Sequence, residues 1–434
     1  MKKTALMSVM LVLLLIVAAC GGNNATNIET EATTTAPTEK TPEKESAVTP
    51  PAENVALSFM HWRTEDKAVF DKLIADFEAE NPNIKVTQTI FPSSDYTSVA
   101  QQKLLDGTTG DVFTVFPGSQ FKGLTDAGLM EDLSGKPVVE NFVPTLITRG
   151  AVEGKQYALP YQLVYNMPLI NVGIFEKLGI SMPTDWDSYV AALETLKSNG
   201  YIPIALPGAD IGRGQLMNPM LMNENTDEEM FPKLVTKDTK LTDEWYVNSL
   251  EKWNQLTPYF QDNSLGTKYD AAVTLFVTEK AAMLATGSFH AALVLEQAPD
   301  MKLDMLPPIT VPASDVVFEG VHNTTFMLAI NTKSSKKEAA EKFIEFLAEK
   351  ENASYYANNT GQLGVVKGLE YTSKSLQFAT DWSTKKTRFL PRSTIPDKQI
   401  EDAITNSISA VISGTAPEKA AEEAQKIVEQ VIQQ

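Results

Sequence analysis

The sequence is poor in the residues that build metal centres and disulfides. Its 434 residues include one cysteine, Cys20, and three histidines, His61, His290 and His322. A single cysteine leaves no partner for a disulfide within the chain, and the histidines fit no metal-ligand spacing such as H-x-x-x-H. We therefore expect neither a metal site nor a cofactor.

Motifs for catalysis and nucleotide binding are also missing. The chain contains no G-x-x-x-x-G-K-[ST] loop, no G-x-G-x-x-G and no G-x-S-x-G. It has no Lys/Arg-rich run and its formal net charge is −18, so we expect no nucleic-acid partner. The excess of acid also disfavours a highly anionic ligand, because a negatively charged protein repels it. These absences favour a binding protein over an enzyme.

The amino terminus has the pattern of a targeting signal. Met1, Lys2 and Lys3 precede an apolar run, 5–19, that ends at Cys20. This arrangement is typical of a secretory signal and is too short for a membrane-spanning helix. The sequence Val-Ala-Ala-Cys-Gly-Gly at 17–22 resembles the lipobox of bacterial lipoproteins. We expect 1–19 to be a signal peptide and Cys20 to carry a lipid at the extracytoplasmic face of the cell membrane. The alternative is an ordinary cleaved signal with an incidental cysteine.

The segment 20–54 has the composition of a tether. It is rich in Thr, Glu, Pro, Ala and Lys, and Ile28 and Val48 are its only large aliphatic residues. So little apolar surface cannot offset the entropy lost on ordering, so we expect a disordered, extended segment. The remainder, 55–434, is long enough for two domains.

The first part of this body alternates between strand and helix patterns. Short apolar runs at 56–62, 84–90 and 110–116 predict strands, and helical spacing predicts helices at 65–80 and 96–105. Such alternation indicates a parallel α/β sheet, in which ligands bind at the carboxyl ends of the strands. Further helices are predicted at 338–350, 400–412 and 417–432. We interpret Asp111 and Trp186 as structural residues.

Several stretches, in order over about 380 residues, carry a resemblance to one family. The body resembles the family 1 extracellular solute-binding proteins, the maltose-binding-protein-like receptors of sugar ABC importers. The matching stretches are 77–86, 110–113, 154–160, 165–166, 175–186, 276–283, 287–289, 329–340 and 414–420.

The resemblance implies an α/β, two-lobed periplasmic-binding-protein-like (type II) fold with an interlobe cleft and a hinge. We expect lobe one to comprise 55–161 plus 303–350, and lobe two 162–302 plus 351–434. The function implied is a monomeric, lipid-anchored receptor that captures a carbohydrate by hinge closure and delivers it to the permease subunits of an ABC importer.

Sugar sites combine flat aromatic rings with hydrogen-bonding side chains, which directs the choice of contact residues. Trp62 follows the first strand and is the first candidate for stacking. Phe289 and His290 occupy the place where many family members have tryptophan after Gly-Ser, so strong stacking there is in doubt. The full set of predicted ligand contacts is Trp62, Arg63, Glu65, Ser119, Gln120, Tyr161, Gln162, Phe289, His290, Glu319, His322, Asn323, Trp382 and Arg388.

Other functions stay open at this point. The same receptor fold could hold a polyamine or an amino acid, or could serve a sensor kinase rather than a permease. An exported glycoside hydrolase would need two carboxylates across a sugar bond, and nothing in the sequence marks such a pair.

Overall fold

The structure is a computed structural model that describes residues 54–210 and 212–433. The predicted signal peptide, the lipidation of Cys20 and most of the predicted tether lie outside these ranges. Within them, no helix has the length and apolar character needed to cross a membrane. The described residues form one compact unit.

The strands of the described part are short, and most have four residues or fewer. They are β1 (Val55–His61), β2 (Ile84–Ile90), β3 (Val112–Val115), β4 (Ala151–Val152), β5 (Lys155–Gln156), β6 (Gln162–Tyr165), β7 (Leu169–Asn171), β8 (Ile202–Ala205), β9 (Ala281–Leu284), β10 (Leu303–Met305), β11 (Gly320–Thr325), β12 (Met327–Ile330), β13 (Leu363–Gly364) and β14 (Thr387–Phe389).

The α-helices are longer and cover the sheets. They are α1 (Lys67–Glu80), α2 (Ser93–Asp106), α3 (Ser119–Asp126), α4 (Pro144–Ile147), α5 (Val172–Leu178), α6 (Trp186–Ser198), α7 (Gly212–Leu221), α8 (Pro232–Thr236), α9 (Glu244–Leu256), α10 (Tyr269–Val277), α11 (Ala291–Gln297), α12 (Lys337–Leu347), α13 (Lys350–Thr360), α14 (Lys374–Thr380), α15 (Lys398–Ile412) and α16 (Pro417–Ile432). Short 3-10 turns lie at Pro137–Asn141, Thr148–Gly150, Thr257–Tyr259, Ser264–Gly266, Ser288–His290, Ala313–Asp315, Asp381–Thr384 and Pro391–Thr394.

The first sheet confirms the predicted strand–helix alternation. Its strand order is β12-β3-β1-β2, with β1 parallel to β2 and β3, and β12 antiparallel to β3. Helix α1 packs on it because Phe70, Leu73, Ile74 and Phe77 recur at helical spacing and are buried. Helix α12 buries Phe343 and adjoining apolar residues in the same core, which is the core of lobe one.

The second lobe contains two further four-stranded sheets. One has the order β10-β7-β9-β8, in which β8 and β9 are parallel. The other has the order β13-β6-β11-β14, in which β6 runs antiparallel to β11. Helices α9, α15 and α16 bury their apolar faces in one common core, which confirms the predicted helical pair at the end of the chain.

Strand pairing corrects part of the predicted lobe boundaries. The segment 303–325 was assigned to lobe one, but β10 pairs with β7 of the second lobe, and β11 pairs with β6 and β14. The chain enters the lobe-one core only at Phe326. It leaves later than predicted, because Tyr356 and Val366 still belong to that core. The rest of the lobe assignment stays a prediction.

Asp111 has the structural role predicted for it. Its carboxylate accepts hydrogen bonds from the backbone nitrogen and hydroxyl of Ser58, from the Ser334 hydroxyl and from Lys336. It therefore ties β1 and β3 to the loop that precedes α12.

Candidate functional site

Two loops of lobe one follow the carboxyl ends of β1 and β3 and lie side by side. The Trp62 ring stacks on Phe116 with ring centroids 3.7 Å apart and an interplanar angle of 21°. Trp62 also meets Tyr96 and Phe326 edge-on and is 7 % exposed. The predicted stacking residue thus belongs to an aromatic cluster at the end of the first strand.

Arg63 is held by a buried network. Its Nε and Nη2 donate to the two oxygens of Asp66 at 2.9 and 3.1 Å. Glu65, whose side chain is 62 % exposed, pairs with its Nη1 at 3.2 Å. Burial alone would lower the pKa of the guanidinium, but Asp66 and Glu65 raise it above its ordinary value, so Arg63 stays charged. The Gln162 amide donates to the Tyr356 hydroxyl, which donates to Asp66.

The second lobe presents Phe289 and His290 in the loop after β9. The Nδ1 of His290 forms a hydrogen bond with the Thr286 hydroxyl, and the ring lies 4.8 Å from Tyr269. Burial, with a further contribution from the positive charge of Arg63, lowers the pKa of His290 to about 3. The imidazole is therefore neutral at physiological pH. Arg63 belongs to lobe one, and its charge is close enough to His290 to contribute to this shift in pKa.

Side-chain contacts of Ser119 and Arg149 join the lobes. Ser119, the first residue of α3, donates its hydroxyl to Glu401 at 2.8 Å. Arg149 of lobe one pairs with Glu228 at 3.6 Å and stacks over Phe389 at 4.0 Å.

Several buried polar atoms at or beside the predicted contact residues have no hydrogen-bond partner among the described residues. Gln120 accepts from the Phe116 backbone nitrogen through Oε1, whereas its Nε2 is buried and unpartnered. The Tyr269 hydroxyl is also unpartnered. Asn166 and Gln362 use their amide nitrogens on Gln215 and the Phe289 carbonyl and leave their amide oxygens unpartnered. Buried polar atoms are normally satisfied, so this mixed group of donors and acceptors is suited to a polar ligand.

Two carboxylates at the predicted site are paired with arginines of the protein. Asp66 is bound by Arg63, and Glu401 is bound by Arg392 at 2.8 Å through Nε. Burial would raise the pKa of Glu401, but Arg392 and the Ser119 hydroxyl outweigh it and lower the pKa. No group of three or more His, Cys, Asp or Glu side chains in the described ranges has the arrangement of a metal site.

Four predicted contact residues have structural surroundings or partners within the protein. Tyr161 is buried in the lobe-one core, where its hydroxyl donates to the Leu347 carbonyl. Trp382 is buried in a second-lobe core. The Arg388 guanidinium is buried and donates to the carbonyls of Met222, Asn225 and Asp227. Exposed Glu319 accepts from the Lys386 backbone nitrogen. Sequence position alone did not distinguish these structural partners from ligand contacts.

His322 and Asn323 lie in β11, on the side of the cleft that contains Arg149. The His322 Nδ1 pairs with the Thr387 hydroxyl at 3.0 Å, and burial followed by the charge of Arg149 lowers its pKa to about 4. Asn323 is buried, and its Oδ1 has no partner within the described part of the chain.

Sequence reasoning missed Arg392, Glu401 and Tyr269. Each begins or adjoins a helix, and in the sequence alone each resembles an ordinary helix-start residue. The packing of α15 against α3 brings Glu401, with its partner Arg392, to Ser119, which is 282 residues from Glu401 in the sequence. Tyr269 instead lies against His290.

Comparison with known proteins places this geometry in context. A family model described as "Bacterial extracellular solute-binding protein" matches residues 61–354, more than half of the chain. The multiple sugar-binding protein of Streptococcus mutans serotype c is 25 % identical over 339 residues, which are 74 % of this chain and 78 % of that protein. The melibiose/raffinose/stachyose-binding protein MelE of Bacillus subtilis is 23 % identical over 349 residues, 78 % of this chain and 80 % of that protein.

Solved structures show the same fold. The solute-binding protein RafE in complex with raffinose superposes with a TM-score of 0.74 at 19 % identity, covering 87 % of this chain and 100 % of RafE. A sugar transporter from Bacillus licheniformis in complex with stachyose gives 0.72 at 21 % identity, covering 86 % of this chain and 98 % of the other. The two-lobed fold predicted from the sequence is thereby confirmed.

Proposed function

Because a family model matches most of its body, the chain belongs to the bacterial extracellular solute-binding proteins, and we propose that it is the receptor of an ABC importer for a neutral carbohydrate. The observation that carries the proposal is the set of unpartnered donors and acceptors around the cleft. A sugar hydroxyl both donates and accepts, so it can satisfy the Gln120 amide nitrogen and the Asn166 and Gln362 amide oxygens alike.

The pairing of charges argues for a neutral ligand. A polyamine needs free carboxylates, and an amino acid needs both a free carboxylate and a free cation. Asp66 and Glu401 are instead bound to arginines within the protein. Two relatives are named for sugars, multiple sugars in one case and melibiose, raffinose and stachyose in the other, which supports the carbohydrate class.

The mechanism follows from the position of these groups on both lobes. A ligand that bridges Gln120 of lobe one and Tyr269 or Asn166 of lobe two makes all its contacts only when the lobes are closed. It therefore binds the closed form better than the open form and shifts the population toward closure. The closed receptor then delivers its ligand to the permease subunits.

Catalysis forms no part of the proposal. A glycoside hydrolase requires a protonated carboxylic acid next to the scissile bond. Arg392 and Ser119 lower the pKa of Glu401, which keeps this carboxylate ionised at neutral pH. The receptor should therefore leave a bound oligosaccharide intact.

A thermal-shift screen of the purified protein tests the ligand class. Raffinose, stachyose, maltose and simple hexoses should be compared with spermidine, putrescine and amino acids. A specific sugar at ~100 times its Kd should add roughly 2.7 kcal/mol to the free energy of unfolding, which raises the unfolding midpoint. A midpoint that rises with amines or amino acids but with no sugar would refute the carbohydrate assignment.

We further propose that the receptor is anchored by a lipid on Cys20. Replacing Cys20 with serine should abolish acylation, because the thiol is the group to which the lipid is attached. The variant should lose the mass of the lipid and no longer partition with the membrane as a lipid-modified species. If acylation persists in Cys20→Ser, measured by mass spectrometry against the unmodified sequence, the lipobox interpretation is wrong.

A further inference from the structure

The hydrogen bond between Ser119 and Glu401 joins the two lobes at one edge of the cleft. Ser119 begins α3, which belongs to the lobe-one core through Phe121 and Leu124. Glu401 lies in the first turn of α15, which belongs to a second-lobe core through Ile400 and Ile404. The 2.8 Å contact between the Ser119 hydroxyl and Glu401 Oε2 therefore joins the two lobes directly.

The two oxygens of Glu401 are divided between the lobes. Oε1 accepts from Nε and Nη2 of Arg392, a residue of its own lobe, whereas Oε2 accepts from Ser119. The Arg392 and Glu401 side chains are 22 % and 12 % exposed. Arg392 thus fixes the orientation of the Glu401 carboxylate. The other oxygen, Oε2, faces lobe one and accepts from Ser119. The negative charge of Glu401 also lies at the amino terminus of α3, where the helix dipole favours a negative group.

The loop that contains Gly118 packs closely against the turn that contains Ser393. Gly118 has φ +91°, and a Cβ added there would lie 3.0 Å from the carbonyl oxygen of Ser393. A larger residue would therefore separate the loop before α3 from the turn that carries Arg392. The Gly118–Ser119 and Arg392–Glu401 regions form a closely packed contact between the lobes.

We propose that Glu401 is a positioning residue that latches the closed receptor through Ser119 and thereby sets its affinity for ligand. This inference rests on the proposed solute-receptor function but not on the identity of the solute. The latch stabilises the closed state alone, so its loss moves the equilibrium toward the open state and weakens the apparent affinity by the same factor. A hydrogen bond to a charged group of this kind corresponds to about a tenfold change in that equilibrium.

The distance between the lobes tests the latch without any ligand. In the full chain with Cys20→Ser, exposed Lys72 of α1 and exposed Lys419 of α16 are replaced by cysteine and carry the two labels. Pulsed electron–electron spectroscopy then gives the distribution of distances. Ser119→Ala and Glu401→Gln should each lower the ratio of closed to open receptor about tenfold, and the double variant should lower it no further.

Two further variants separate the latch from general damage. Ser119→Thr keeps a hydroxyl and should restore the distance distribution of the parent. Ser98→Ala is a matched control, because it removes an exposed lobe-one hydroxyl that bonds only to the carbonyl of Asp95 in its own helix. An unchanged distribution in Ser119→Ala, or fully additive effects of Ser119→Ala and Glu401→Gln, would overturn the proposal.

Raffinose serves as the probe for affinity. Its Kd should rise about tenfold in Ser119→Ala, mainly through faster dissociation, because the latch is lost after the encounter. Failure of raffinose to bind the parent chain would exclude raffinose as the solute, while the label distances would still decide the latch.

Discussion

Replacing Arg63 with methionine is expected to destabilise the protein by about 3–5 kcal/mol. The guanidinium is buried, and two of its nitrogens bind the Asp66 carboxylate. Removing one member of a buried ion pair leaves the other charge desolvated and unpaired, which is far more costly than losing both. Urea denaturation of the single variant against the parent measures the loss.

Two variants at the neighbours of Arg63, Glu65 and Asp66, serve as controls for this result. Glu65→Gln removes the exposed partner of the same arginine and should cost less than about 1 kcal/mol, because exposed ion pairs contribute little. Arg63→Met combined with Asp66→Leu should recover much of the lost stability, because no charge is then left buried. Equal losses in Arg63→Met and Glu65→Gln would show that Asp66 does not depend on Arg63.

Replacing Asp111 with asparagine is expected to cost about 3 kcal/mol, because an amide nitrogen then takes the place of a carboxylate oxygen. Oδ2 accepts from the Ser58 backbone nitrogen, the Ser58 hydroxyl and Lys336, and a nitrogen accepts from none of them. Asp126→Asn is the matched control. Its side chain is 61 % exposed, so urea denaturation should find little change.

The same carboxylate makes a prediction for the pH dependence of stability. Burial would raise the pKa of Asp111, but hydrogen bonds from Ser334, Ser58 and Lys336 outweigh it and lower the pKa. A depressed folded-state pKa stabilises the protein above the unfolded value near 3.9, and this contribution is lost as pH falls through the lower folded value. The free energy of unfolding of the parent should therefore fall more steeply below about pH 4 than that of Asp111→Asn. Parallel curves would exclude this role for Asp111.

Much of the architecture was predictable because local patterns decide it. The apolar residues of α1 recur every three or four positions, and β1, β2 and β3 are short apolar runs between helices. These periods depend only on backbone geometry, so the sequence displays them directly. The placement of Trp62, Ser119 and Gln120 at strand ends followed from the same argument.

The site was less predictable because burial and partners depend on distant residues. Trp382 and Arg388 have the side chains expected of ligand contacts, yet tertiary packing places one in a core and uses the other to bind three backbone carbonyls. A side chain that could meet a sugar can equally meet the protein, and its own sequence neighbourhood does not distinguish the two. Strand β10 shows the same limit. It has only three residues, and so short a segment does not indicate which lobe contains the strand it pairs with.

The sequence by itself determined the alternation of strands and helices, the family resemblance that implied two lobes, and the strand ends near which ligand contacts were sought. These depend on periodicity and residue type along short segments. The tertiary structure alone decided that Glu401 reaches Ser119, 282 residues away in the sequence. The reason is physical: an ion pair or a hydrogen bond across a cleft depends on distances between segments hundreds of residues apart, which only the packing of the two lobes sets.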